Sequence, residues 1–136
     1  MQAKAYLQEI RKLDRKIQNK QMEVESLREL LLSITAHTKE INVQSSGPGD
    51  KVGDNVAKII DLQDEINADI DKYVDRKLEA IRKINELGND DYAGILIRRY
   101  VKYEDWNTIA EALGYTRQGI AKKHGLALLE FEKVYT

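Results

Sequence analysis

Arg117, Gln118, Lys122 and Lys123 fall within seven consecutive residues, and their chemistry suits a nucleic acid. Arginine pairs bidentately with the O6 and N7 edge of guanine, and glutamine does the same with adenine. Lysine ammonium groups neutralise phosphates, which positions a protein without reading sequence. The stretch 114–129 holds three basic residues and no acid, although 89–136 balances seven against seven. Positive charge gathered on one helix of a neutral segment is the electrostatic footprint of a helix that enters a groove. The candidate contact set is Thr116, Arg117, Gln118, Ala121, Lys122 and Lys123.

Other chemistries find little support. There is no cysteine, which excludes disulfides, thiol catalysis and cysteine-ligated zinc. His37 and His124 stand far apart with no carboxylate cluster around either, so no metal site is expected. The acidic run Asp64-Glu65, Asp69, Asp71 and Asp75 lacks calcium-loop spacing and a glycine turn; it reads as a solvated face. No nucleophile, general base and orienting group are grouped, and no glycine loop cradles a phosphate. The chain is read as neither an enzyme nor a cofactor carrier.

The basic residues need a scaffold, and the residues around them describe one. Asp105 can cap a helix ending at Leu113 by accepting free amides two and three residues on. Gly114 permits the left-handed backbone of a three-residue turn, and Thr116 can cap the next helix. Ala110 is small enough for a close helix crossing, while Ile109, Leu113 and Ile120 fill a shared core. This is helix-turn-helix spacing. The second helix is expected from Arg117 to about Leu129, with Arg117, Gln118, Ala121 and Lys122 outward. An earlier short helix should cover Tyr92 to about Lys102 and bury Ile95, Leu96 and Tyr100. Trp106 and His124 are read as packing residues; Arg98-Arg99 could face phosphates, but a solvated face or pairing with Asp90, Asp91 or Glu104 is the favoured reading. Gly119 and Gly125 each weaken the second helix by up to about 1 kcal/mol relative to alanine. Lys123 falls where a core residue is expected: either its stem lies on the core, or the helix orders only on a partner.

Upstream the pattern is different. Residues 1 to about 40 carry a heptad repeat, Ala3, Ile10, Ile17, Val24, Leu31 alternating with Tyr6, Leu13, Lys20, Leu27, Ile34. Lys20 is its one break. The pattern predicts a long amphipathic helix. Glycine and proline in Gln44–Asp50 predict a loop over 42–53. A second seam runs over 54–87, Val56, Gln63, Ile70, Lys77, Ile84 alternating with Ile59, Ile66, Tyr73, Ala80, Leu87, and Gly88-Asn89 stops it. Residues 1–42 carry eight basic and six acidic groups, against six and nine over 54–88. Equal lengths and opposed charge favour an antiparallel hairpin. His37 near the end of the first helix is read as a surface residue favoured by the helix dipole. Ile60, Val74 and Ile81 widen the stripe of the second helix beyond what a hairpin buries. Either a second copy, giving a homodimer, or the C-terminal domain covers them.

The expected architecture is all-α: a hairpin (coiled coil) over 1–88, then a small helix-turn-helix domain over 89–136. At 136 residues the chain holds one or two small domains and no large cleft. No apolar run approaches the roughly 20 residues that span a bilayer, so no membrane partner is expected and the location is read as the cytoplasm.

Arg98-Arg99-Tyr100-Val101-Lys102-Tyr103, Trp106, Ile109-Ala110, Leu113-Gly114-Tyr115-Thr116, Ile120, His124 and Ala127-Leu128 resemble the C-terminal module of phage and prophage late-gene transcriptional regulators. These are related to sigma-factor region 4, which recognises an upstream promoter element through a helix-turn-helix. The N-terminal pattern resembles one branch of that group: Tyr6-Leu7, Ile10, Leu13-Asp14, Asp50-Lys51-Val52-Gly53, Ala57-Lys58-Ile59 and Ile66-Asn67-Ala68-Asp69-Ile70-Asp71. The similarity extends over nearly the whole chain. It implies promoter-DNA binding through the helix after Thr116, and transcription regulation alongside host RNA polymerase. Two other readings compete. One is a helical assembly protein of the phage packaging type, although such subunits generally place the DNA-binding motif before the oligomerising helices. The other is an adaptor that binds RNA polymerase and not DNA.

Overall fold

A computed structural model describes the backbone of residues 2–40 and 47–135, with side chains over 2–36 and 51–135. The protein is all-α, with no strand among the described residues. Helix α1 runs Gln2–Glu40 and α2 runs Gly47–Asn85. Helix α3, Asp90–Leu96, passes directly into a π-helical segment, Ile97–Val101; α4 is Trp106–Leu113 and α5 is Arg117–Val134. No described helix is long and apolar enough to cross a membrane.

The loop expected over 42–53 needs correction. Residues 41–46 lie outside the described residues, as does the side chain of His37, but 47–53 form the first turns of α2. A helix's first amides have no intrahelical partner, so Pro48 forfeits no hydrogen bond there. Sequence punctuation that ends one helix can equally begin the next.

The chain divides into two compact units, Arg15–Asp71 and Met1–Asp14 with Lys72–Thr136. This division differs from a boundary at residue 88: the last turns of α2 and the first of α1 pack with the C-terminal helices.

Within Arg15–Asp71 the two helices run antiparallel. Lys16 Nζ lies 3.8 Å from Asp69, while four residues further along α1 Lys20 Nζ lies 3.4 Å from Glu65, four residues back along α2. Lys20 also donates to Asp69 Oδ2 at 2.7 Å. The break in the heptad seam is therefore met by carboxylates, and the hydrogen bond to Asp69 raises the Lys20 pKa. Ile17, Val24, Ile59 and Ile66 are buried between the helices.

The other unit has a fuller core. Ala3, Leu7 and Ile10 of α1 and Ala80 and Ile84 of α2 pack with Leu96, Tyr100 and Val101, and with Ala127, Leu128 and Phe131 of α5. Leu7, Ile84 and Phe131 are fully buried, each contributing roughly 1.5–3 kcal/mol of transfer free energy. Polar ties fix the packing: the Ala3 amide donates to Glu132 at 2.8 Å, the Tyr6 hydroxyl to Glu79 at 2.9 Å, and Lys83 to the Tyr135 carbonyl at 2.6 Å. Burial, then the Glu79 carboxylate, pushes the Tyr6 hydroxyl up to about 12. Ile81 of the wide α2 stripe is covered by this core, but Val74 stays exposed. Helix α5 continues past the end expected near Leu129 because Phe131 and Val134 extend its apolar face onto the same core.

Candidate nucleic-acid interface

The local signals around the basic residues fold as their chemistry dictates. Asn89 caps α3 by accepting from the Tyr92 amide at 3.1 Å, so that helix begins two residues before Tyr92. Asp105 caps α4, its carboxylate accepting from the Thr108 amide at 2.8 Å. That bond is the main reason its pKa is lowered, with the charges of Arg117 and Arg99 adding to it. Gly114 closes α4 at φ 77°, a left-handed conformation that side chains beyond glycine rarely adopt. The Tyr115 amide then donates back to the Ala110 carbonyl at 2.9 Å. Thr116 is extended, and its hydroxyl accepts from the Gly119 amide at 3.0 Å, capping α5.

Helices α4 and α5 close around a second small core, Ile95, Ile109, Ala110 and Ile120, with Trp106, Leu113 and Tyr115 packed against it. The pair is a helix-turn-helix with Gly114–Thr116 as the turn. From the first two turns of α5, Arg117, Gln118, Ala121 and Lys122 are exposed. The other two candidates are placed differently. The Thr116 hydroxyl is engaged in the cap, and Lys123 is half-buried with its ammonium 6.0 Å from the centre of the Tyr115 ring. Four side chains thus form one outward surface, with Thr116 at its head and Lys123 at its flank.

Arg98 and Arg99 are turned inward. Arg98 forks onto both carboxylate oxygens of Glu104 at 3.0 and 3.2 Å. Arg99 donates to the Glu104 carbonyl at 3.1 Å and stacks over Trp106 at 4.7 Å. Glu104 also donates its amide to the Arg98 carbonyl at 2.9 Å. One residue therefore ties the π-helical segment to the start of α4, across Tyr103, which adopts a left-handed φ of 61°. Among the described residues, no group of three histidine, aspartate or glutamate side chains could hold a metal ion.

The family model that matches this chain covers residues 30–132. The chain belongs to the DUF1492 family. That family is described as a protein of unknown function. No curated protein and no solved structure matches the chain. The DUF1492 match takes in the whole helix-turn-helix and all four outward side chains of α5.

One contact of this DUF1492 chain leaves no mark in its sequence. The Tyr100 hydroxyl and His124 Nε2 lie 2.7 Å apart, and Trp106 packs on the imidazole with ring centres 4.5 Å apart. Packing was legible at each position, but a side-chain pair 24 residues apart on different helices leaves no periodic signal. Gly119 does more than weaken α5. A Cβ there would stand 3.0 Å from the Thr116 hydroxyl oxygen, so the glycine makes room for the cap.

Proposed function

We propose that this protein is a DNA-binding transcriptional regulator of phage or prophage origin that reads promoter DNA through α5 and acts with host RNA polymerase. One observation carries the reading: Arg117, Gln118, Ala121 and Lys122 project together from the start of a helix held by a glycine turn against α4. Side chains in the first turns of such a helix reach base edges when it lies in the major groove. Arg117 and Gln118 offer the two bidentate pairings, Ala121 leaves room for close approach, and Lys122 supplies a phosphate contact. Resemblance to late-gene regulators supports the promoter as the target.

The test is fluorescence anisotropy of a labelled random duplex titrated with protein at several salt concentrations. Affinity should fall linearly in log salt with a slope worth several phosphates, and selection from a random pool should then enrich one sequence. Absence of binding at low salt would remove DNA from the reading.

A second reading rests on Leu126 and Leu129, exposed by 38% and 52% on the later turns of α5. Apolar side chains there favour a protein contact, as in an adaptor that engages RNA polymerase and not DNA. Its mark is capture of purified polymerase with no duplex affinity at moderate salt.

A further inference from the structure

The described residues of the unit Arg15–Asp71 form two helices, α1 and α2. A groove of about 640 Å³ runs along it, its lining including apolar Val24, Ile66 and Ile70 and polar Gln21, Glu25 and Asn67. Ile60, 52% exposed, lies seven residues before Asn67 on the same face of α2, and Met22, 58% exposed, stands beside Gln21 on α1. Apolar surface of this kind, set among polar groups, marks an interaction site.

Charge identifies the occupant. Over 15–36, α1 carries four cations and three carboxylates, whereas α2 over 51–71 carries two cations and six carboxylates. An acidic helix packed on its own copy is repelled, while the near-neutral, slightly basic α1 segment is its electrostatic complement. Two-fold symmetry makes a surface self-complementary: if α1 of one copy meets α2 of the other, the reverse contact follows. We propose that a second copy of this chain covers the groove, with each α1 lying over its partner's α2 to complete a four-helix bundle.

The full chain tests this directly. Light scattering should give about twice the 15.6 kDa of one chain. Ile60→Lys should raise the dimer dissociation constant about tenfold or more, with helical circular dichroism unchanged because the side chain is exposed in a single copy. The cysteine-free sequence allows a second, orientation-specific measurement. In a mixture of Glu25→Cys and Asn67→Cys chains, disulfides should form mainly between unlike chains. A single-chain mass at every accessible concentration overturns the proposal, as does a dimer indifferent to Ile60→Lys. Cross-links confined to like chains overturn the α1-over-α2 arrangement. None of these outcomes depends on DNA, so the interface and the helix-turn-helix reading stand or fall separately.

Discussion

The Tyr100 hydroxyl meets His124 Nε2 at 2.7 Å, joining the π-helical segment to the middle of α5. Burial of the imidazole, then the nearby charges of Lys4 and Arg99, lowers the His124 pKa from 6.5 to about 4. Burial also raises the Tyr100 hydroxyl to about 12. Near neutral pH both groups are therefore uncharged, and one hydrogen bond joins the phenol to the neutral imidazole. The orientation of α5 rests in part on that bond.

Because the folded state disfavours protonated His124, the unfolded chain binds a proton first as pH falls. The stability this contributes is complete above about 6.5 and is lost as pH drops towards 4. An NMR titration of the His124 ring should give a midpoint near 4. Urea denaturation should show a shallower decline over that window for His124→Phe than for the natural chain. A midpoint near the ordinary histidine value would overturn the assignment.

Tyr100→Phe keeps the ring and removes the hydroxyl that meets His124. It should lower unfolding free energy by about 1 kcal/mol, the usual net worth of such a bond, measured as a shift in urea midpoint with the slope unchanged. No shift would mean that solvent replaces the phenol at Nε2.

Two glycines of α5 should respond differently to alanine. At Gly125 an added Cβ meets nothing within 4 Å, so Gly125→Ala should stabilise by about 0.5–1 kcal/mol. At Gly119 the same methyl crowds the Thr116 hydroxyl, and the lost cap offsets the helix propensity. Thermal denaturation of the two variants decides it; equal gains would contradict the capping role of Thr116.

Glu104→Ala removes the fork from Arg98 while leaving the backbone links to Arg98 and Arg99. With Arg98 about one-third exposed, the loss should be about 1 kcal/mol or less. Melting temperature should fall modestly, and duplex affinity should change little if Arg98 is structural. A large affinity change without a stability change would assign Arg98 a DNA contact.

On α5 the outward residues divide by chemistry. Arg117→Ala should relax base preference at one position, costing about 1–3 kcal/mol there. Lys122→Ala should weaken all sequences alike and flatten the salt dependence by about one phosphate. Quantitative binding to the selected duplex and to single-base variants separates the two. If both substitutions leave affinity and preference unchanged, α5 does not read DNA.

The sequence alone determined what local chemistry can settle. Caps at Asp105 and Thr116 act over three residues, and the Gly114 turn needs only a backbone without a Cβ. The heptad seams likewise declared which face of α1 and α2 is apolar. Tertiary structure decided what each face meets. The pattern showed Lys20 as a break, but only the helix register brought Asp69 and Glu65 to it. Ile60, Val74 and Ile81 read alike along α2, yet only Ile81 lies where the C-terminal core covers it. The stretch from Gly47 to Gly53 belongs to a helix because proline is harmless in a first turn, and composition does not say which side of a boundary it marks. Tyr100 and His124 are joined only because α3, its π-helical continuation and α5 cross over a common core. Periodicity fixes the face of a helix; the partner of that face is set by how helices far apart in sequence pack together.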